Sequence, residues 1–275
     1  MAPPSDRYAR WRDRAPGWTR TAPQGVSTAD RNNQRMIAAT GIGPGMRVAD
    51  LATGAGEPAI SIALAVGAGG AVAATDLVPE MMEAARRRAA ALALAQLRFV
   101  VADMAALPYA DATFDALTCR FGLMFAPDPV RTVAEARRVL RPGARAAWLA
   151  WGPSACNTMF EVTRTAIAGF FGGAPEDGAA GRFRFAGAGD LGAVLRAAGF
   201  RDVAETGFDD VDTVPAGAPF VRRQLERNRE PRVLALDADG RAALEAAIER
   251  AFVPHREGDA YRLRSAVRLA VGTAA

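Results

Sequence analysis

Residues 48–63, VADLATGAGEPAISIA, decide how the rest of the chain reads. An apolar, strand-like run at 46–51 carries an acid, Asp50. It passes through the small residues Ala52, Gly54 and Gly56 and continues from Pro58 into an apolar helical pattern. The order is strand, glycine turn, helix, and Pro58 suits a first helical position, where its missing donor costs nothing. Glycines let the backbone turn sharply and let a ligand lie against it, while the helix start offers unpaired N–H groups. Gly56 lies 20 residues before Asp76, which ends the next strand-like run, 71–76. A carboxylate there can accept both hydroxyls of a ribose, each charged hydrogen bond contributing roughly 1.5 to 3 kcal/mol. The stretch reads as a nucleoside site.

Charge narrows the choice of nucleoside. The spacing of Gly54, Gly56 and Ala59 fits the dinucleotide fingerprint. A pyrophosphate beside Asp50 and Glu57 would meet like charges, each pair costing roughly 4 kcal/mol at about 4 Å and an effective dielectric of about 20. No arginine sits in the turn to offset this. A ligand bearing an ammonium and a sulfonium is attracted by the same two acids. An NAD-linked oxidoreductase therefore stands as the disfavoured rival.

The features after the turn carry a family resemblance. Residues 48–63 resemble motif I of the class I S-adenosylmethionine (SAM) dependent methyltransferases, and Asp76 resembles the acidic ribose ligand of their motif II. Residues 100–104 (VVADM) resemble the strand end whose acid and next residue flank the adenine. Residues 107–115 (LPYADATFD), 116–121 (ALTCRF) and 139–143 (VLRPG) are similar to the branch that includes the ubiquinone and menaquinone biosynthesis C-methyltransferases. The resemblance is strong over about residues 30–152. Glu57 departs from it where many relatives have a small residue, and so does Ala144 after Pro142-Gly143, where a second glycine is usual.

The resemblance implies SAM as cofactor, with the glycine turn (Asp50, Ala52, Gly54, Gly56) at its carboxylate end. Asp76 would meet the ribose, and Leu77, Asp103 and Met104 the adenine. Arg120, at the end of a strand, completes the candidate set. Each acid also has a plainer reading, Asp50 as a turn acid and Asp103 as a loop acid, with Arg120 as a partner for either. The implied fold is α/β, a Rossmann-like, seven-stranded, mostly parallel sheet with helices on both faces and helical cap insertions.

Composition sets outer bounds. The 275 residues are 50% hydrophobic and 23% charged, enough for one enlarged domain or a domain with a cap. The formal charge is +4, yet all 34 basic residues are arginine and lie scattered among 30 acids. No basic stripe interleaved with aromatics marks a nucleic-acid partner. The opening MAPPSDRYARWRDR has no apolar leader, and no apolar run approaches the roughly 18 residues of a membrane span. A cytoplasmic protein is expected, with a homodimer as one option. Cys119 and Cys156 have neither metal-ligand nor disulfide-framework spacing, so no metal is expected, and Cys119 reads as a small buried hydrophobe.

Residues 1–45 read as an N-terminal arm and cap helix. The arm shows no clear period, and Tyr8, Trp11 and Trp18 either anchor it or line an acceptor mouth. Thr28 is expected to cap a helix running to Thr40, with Asn33, Met36 and Ile37 on one face. Residues 46–275 form the main domain. Strand and helix alternate through strands at 71–76, 97–102, 114–120 and 144–151. The helix at 79–94 carries an arginine run, Arg86 to Arg88, expected to be solvated, and Asp128-Pro129 should cap and open the next helix.

Beyond residue 151 the alternation fails. Lid insertions are expected at about 153–187 and 213–258, the second with two helices. Asp190 should cap a helix at 191–198, and strands should follow at 200–208 and 262–271. In relatives the last strand runs antiparallel between the two before it. Phe160, Phe170, Phe171, Phe183 and Phe185 read as core or as an apolar lid for a flat acceptor.

The acceptor is expected to be a small, largely apolar molecule, a quinone precursor or specialised metabolite, methylated at carbon or oxygen. Alignment of nucleophile, methyl and sulfur in a dry site can supply roughly 7 to 11 kcal/mol, so a fixed base is not required. His255, the one histidine, is the weak candidate for a base. A non-methylating protein of the same fold, a SAM-assisted cyclase or a binding module, would carry the same cofactor residues.

Overall fold

A computed structural model describes residues 5–20, 30–174 and 181–275. The chain opens with two short helices, α1 (Ser5–Arg12) and α2 (Ala15–Arg20), where no periodicity was evident in the sequence. α3 (Arg31–Thr40) follows. Its cap is Asp30, whose carboxylate accepts from the N–H groups of Asn32 at 2.9 Å and Asn33 at 3.4 Å. The expected cap, Thr28, lies outside the described residues.

The alternating core then runs through β1 (Arg47–Leu51), α4 (Ala59–Val66), β2 (Ala71–Asp76), α5 (Pro79–Ala91), β3 (Leu97–Val101), β4 (Phe114–Arg120), α6 (Pro129–Val139) and β5 (Leu140–Trp151). Pro58 does not open α4 as expected. It precedes the first helical residue, Ala59. Asp128 does cap α6, accepting from Arg131 N–H at 3.0 Å, with Pro129 in the first turn. The remainder comprises α7 (Thr158–Phe170), α8 (Asp190–Ala197), β6 (Arg201–Pro215), α9 (Phe220–Arg227), α10 (Pro231–Leu234), α11 (Ala238–Phe252), β7 (Arg256–Glu257) and β8 (Ala260–Thr273). Residues 213–258 thus hold three helices rather than two, and β6 runs seven residues past its expected end at 208. Asp190 is the first residue of α8, not its cap. Gly189 takes the cap position at φ 89°, and the Asp190 carboxylate instead accepts from Gly187 N–H at 3.0 Å.

Two compact units emerge, Met1–Ala150 with Gly187–Thr206 and Arg268–Ala275, and Trp151–Ala186 with Gly207–Val267. In the first, the strands lie in the order β3-β2-β1-β4-β5-β8-β6, with β6 and β8 contributing residues 201–206 and 268–273. β1 through β5 are parallel. β8 is antiparallel to β5, as hydrogen bonds join 144 to 274 and 152 to 266. This is the α/β, mostly parallel sheet expected, with the short β7 as an added partner of β8. Central strands of such a sheet are covered on both faces, and β1 is accordingly buried from Val48 to Leu51. One core joins Val48, Val72, Ala74 and Ala116 to Ile60, Ile62 and Val66 of α4.

The second unit has a core of its own. Phe252 of α11 meets Phe220 of α9 and Tyr261 of β8 edge-on at centroid distances of 5.0 and 6.3 Å, beside Ile167, Leu225, Leu244 and Ile248. Among the described residues no helix is long and apolar enough to cross a membrane.

Candidate functional site

Parallel register brings the candidate residues to one edge. Asp50 pairs in register with Ala74 of β2 and Thr118 of β4, and Asp76 pairs with Val101 of β3. The carboxyl ends of β1, β2, β3 and β4 therefore open together, and in open α/β sheets ligands bind beyond that edge. Ala52, Gly54, Leu77, Asp103, Met104 and Arg120 all follow or end these strands.

The turn after β1 is held by close contacts that only small residues permit. A Cβ on Gly56, at φ 108°, would lie 3.0 Å from the Ala85 Cβ and 2.9 Å from Ile60 Cδ1, so α5 packs directly on the turn. Ala52 sits at φ 53°, and a Cβ on Gly122 would approach the Ala52 Cβ to 2.5 Å. Asp76 braces the turn from the next strand. Its Oδ2 accepts from Gly54 N–H at 2.9 Å and its Oδ1 from Val78 N–H at 3.0 Å. Burial pushes its carboxyl above the usual range, against the opposing backbone hydrogen bonds. Each oxygen retains a lone pair for a further donor.

Asp50 lies beneath the turn, fully buried. Its Oδ1 accepts from the Thr118 hydroxyl at 2.6 Å. Its Oδ2 and the Thr53 hydroxyl are both buried, and neither has a hydrogen-bond partner among the described residues. Burial pushes this carboxyl up to about 7, against the pull of the Thr118 hydroxyl and then of the Thr53 hydroxyl, with Glu57 adding to the rise and Arg120 opposing it. A buried carboxylate oxygen left without a donor is costly in the free protein and favours a ligand that supplies one.

Behind the turn runs a polar chain that the sequence did not disclose. Glu57 accepts from Arg88 at 2.6 Å, from Asn33 at 2.8 Å and from the Ser61 hydroxyl at 2.8 Å. The Asn33 side-chain oxygen accepts from Arg120 at 3.0 Å, and Arg120 also pairs with Asp30 at 2.6 Å. Arg88 was expected in solvent, yet its side chain and that of Glu57 are each only 9% exposed, and it also donates to Ala55 O at 2.7 Å. The long-range arginine that the turn itself lacks is thus supplied by α5, and Glu57 does not confront a ligand as a bare charge. Asn33 was the available signal, an amide on the same helical face as Met36 and Ile37. Arg88 carried none, because an arginine run reads as surface.

The remaining candidates are engaged locally. Asp103 accepts from Ala105 N–H at 3.0 Å in a tight turn. Leu77 packs with Val78 and Met81 against Tyr8, Trp11 and Trp18, so the arm's aromatics lie over the segment after β2, and Trp11 meets Phe125 at 4.9 Å. Burial pushes the Cys119 thiol up to about 12, in keeping with an inert core residue. His255 belongs to the second unit, against the Phe252 ring at 6.3 Å. Among the described residues, the carboxyl ends of β1, β2 and β3 bring the acids Asp50, Asp76 and Asp103 to this edge.

The family described as methyltransferase domain matches residues 49–148. Demethylmenaquinone methyltransferase of Deinococcus radiodurans is 39% identical over 139 residues, 49% of this chain and 56% of the relative. That of Thermus thermophilus is 37% identical over 130 residues, 46% and 58% of the two chains. An uncharacterised protein of Mycobacterium tuberculosis is 40% identical over 116 residues, 42% of this chain and 41% of its own. The chain spans about half the length of the curated relatives it matches.

Among solved structures, phosphoethanolamine N-methyltransferase 2 of Haemonchus contortus, in complex with SAM, has a TM-score of 0.56 at 16% identity, covering 90% of this chain and 53% of that one. The [4+2]-cyclase SpnF has a TM-score of 0.54 at 21% identity, covering 89% and 81%. At these identities the likeness is one of fold.

Proposed function

We propose, for a chain whose residues 49–148 match the methyltransferase domain family, that it transfers the methyl group of SAM to a small, largely apolar acceptor such as a quinone precursor. The observation that carries this reading is the pairing of a glycine cradle with an orphaned buried carboxylate oxygen on Asp50. The ammonium of SAM would offer Asp50 a charged donor beyond the Thr118 and Thr53 hydroxyls, and a phosphate would offer none. The pairing of Glu57 with Arg88 removes one of the two like charges that disfavoured a dinucleotide, so the choice now rests on Asp50 rather than on the summed charge of the turn.

In this reading SAM supplies an electrophilic methyl on a sulfonium, and the chain supplies position. Asp76 holds the turn by its bonds to Gly54 and Val78 and keeps capacity for ribose hydroxyls. Leu77, Asp103 and Met104 flank the base. Arg120 acts through Asn33 and Asp30, tying α3 to the end of β4. With no base at the strand ends beyond the three acids among the described residues, a carbon nucleophile or an already acidic hydroxyl suits the site better than a demanding deprotonation. The insertions at about 153–187 and 213–258 are read as the part that selects the acceptor, and the setting as cytoplasmic. The relatives named as demethylmenaquinone methyltransferases support a quinone precursor.

Calorimetric titration with SAM, S-adenosylhomocysteine and NAD tests the cofactor. Micromolar binding of the first two, lost in Asp76→Ala with the fold intact by circular dichroism, is the expected result. Binding of NAD alone would overturn the reading. Stable SAM binding with no methyl loss to any naphthol or quinol would turn it towards a non-methylating protein of this fold.

A further inference from the structure

Asn33 is fully buried on α3, and its side chain joins residues that lie far along the chain. The amide nitrogen donates to the Glu57 carboxylate at 2.8 Å and to the Ser61 hydroxyl at 2.9 Å, and the amide oxygen accepts from Arg120 at 3.0 Å. The orientation of the amide is forced, because a carboxylate offers no donor and a guanidinium no acceptor. Asparagine is mostly an exposed residue, and burying its amide is costly unless the polar atoms are paired. Here both are, and two of the partners carry opposite charges. An amide suits that place because it donates to an anion and accepts from a cation at once. Every member of the group, Asp30 and Arg88 included, belongs to the first unit.

The same two charges act on the carboxyl of Asp50. Burial raises it, the Thr118 and Thr53 hydroxyls pull it down, and Glu57 and Arg120 then work in opposite senses, the first raising it and the second lowering it. Other nearby groups are fixed independently of Asn33. Cys119 on β4 has a thiol pushed up to about 12 and stays neutral, and Asp76 on β2 is held by the N–H groups of Gly54 and Val78. Behind the two charges stand Arg88, which donates to Glu57 at 2.6 Å, and Asp30, which accepts from Arg120 at 2.6 Å. The two are not held equally. Glu57 accepts from Arg88 and Ser61 besides Asn33, whereas Arg120 donates to Asp30 and Asn33 and its buried Nε has no partner among the described residues. Loss of Asn33 therefore frees the cation more than the anion. At an effective dielectric of about 20, moving a unit charge back by a few ångströms shifts a neighbouring carboxyl by about one pH unit.

We propose that Asn33 is a positioning residue for the cofactor: by holding Arg120 and Glu57 in place near Asp50 it sets the charge that the ligand's ammonium meets, without touching the ligand. The inference rests on the reading of the glycine turn as the SAM site and deepens it. Arg120 then serves that site through its charge rather than through a contact. Two replacements of similar size break the arrangement in different ways. Asn33→Leu removes both bonds and leaves Arg120 to Asp30. Asn33→Asp keeps an acceptor for Arg120 but sets a second carboxylate against Glu57. Each makes the surroundings of Asp50 more negative, so each delays its ionisation to higher pH. The exchange Asn33→Asp/Glu57→Gln brings back the native net charge, with the new amide donating to the new carboxylate.

S-adenosylhomocysteine, which carries the same ammonium, is the probe, titrated by calorimetry into the full chain at intervals from pH 5.5 to pH 8.5, with folding checked by circular dichroism. The midpoint of the native profile is expected near 7. In Asn33→Asp and Asn33→Leu it should rise by about half a unit or more, which reads as binding about threefold weaker at pH 6 and nearly unchanged at pH 8.5. The exchange should return most of that shift. Equal weakening at every pH, which loss of structure alone produces, an unmoved midpoint, or an exchange no better than Asn33→Asp would each overturn the proposal. Should the leucine variant not fold, Asn33→Asp and the exchange carry the same decision. The cofactor reading is scored separately, on the native chain and Asp50→Asn. No binding of S-adenosylhomocysteine, or a native profile that Asp50→Asn leaves unchanged, sinks that reading and this role with it. A profile that depends on Asp50 but not on Asn33 overturns the positioning role alone.

Discussion

Asp50 is the residue at which burial and function pull in opposite directions. Burial pushes its carboxyl up to about 7 in the folded chain, well above the ordinary aspartate value of 3.8. Between those values the folded state binds more protons than the unfolded state, so stability falls as pH rises through that window. Asp50→Asn does not titrate, and its melting temperature should fall less between pH 4 and pH 7.5 than that of the native chain, as measured by calorimetry. A parallel fall in both would show that Asp50 is not the group concerned. Binding carries the opposite sign. An ammonium beside Asp50 favours the ionised form, so affinity for SAM should be about tenfold weaker at pH 6 than above pH 8, since one pH unit below a pKa leaves about a tenth ionised. Titration calorimetry at several pH values reads this directly, and Asp50→Asn should flatten the profile. Gly122 poses a steric question instead. Its added Cβ would meet Ala52 at 2.5 Å, just past the end of β1, and the sulfur of Cys119, within β4, at 2.9 Å. Gly122→Ala should cost about 1 to 3 kcal/mol in urea unfolding. A cost below about 0.5 kcal/mol would mean that the Ala52 turn yields easily.

At the scale of elements, Glu57 and Arg88 tie α5 to the glycine turn, and Asn33 ties in α3. Breaking a buried pair leaves one charge uncompensated, whereas replacing both partners does not. Glu57→Ala is expected to cost about 3 to 5 kcal/mol, and the double variant Glu57→Leu/Arg88→Met less than the single one. Urea unfolding of the set decides it, and simple additivity would argue against a coupled pair. This network also marks the boundary of what the sequence disclosed. β2 and β4 were read at their observed bounds, and the Asp128-Pro129 start of α6 was read correctly. Each is set by neighbours in sequence, an apolar run or a capping side chain. The misreadings involve choices among adjacent residues or partners far along the chain. Asp30 rather than a nearby threonine caps α3, and Asp190 gives up its capping role to brace Gly187. Arg88 finds Glu57 across 31 positions, a pairing no local pattern specifies. The candidate site was legible where parallel strands deliver residues to one edge, and illegible where side chains from α3 and α5 close behind it.

At the scale of the whole chain, two apolar cores among the described residues each lie within one unit. The one around Ile60, Val72 and Ala116 draws only on the first unit, and the one around Phe252 only on the second. The first core is fixed by parallel pairing of β1, β2 and β4, so its backbone hydrogen bonds and its apolar contacts support one another. The second is built from α7, α9, α11 and a strand segment, and its buried rings contribute a large share of its apolar surface. Phe252 is fully buried and touches two of those rings, so Phe252→Ala should cost about 3 to 5 kcal/mol within that unit. Cooperative opening follows packed units rather than the whole molecule when their cores are separate. Hydrogen exchange should therefore speed up in α9 and α11 of Phe252→Ala while the β1, β2 and β4 amides keep native protection. Binding of S-adenosylhomocysteine should survive, because the cofactor candidates all belong to the first unit. Uniform loss of protection through β1 and β2 would instead mean that the two cores unfold as one.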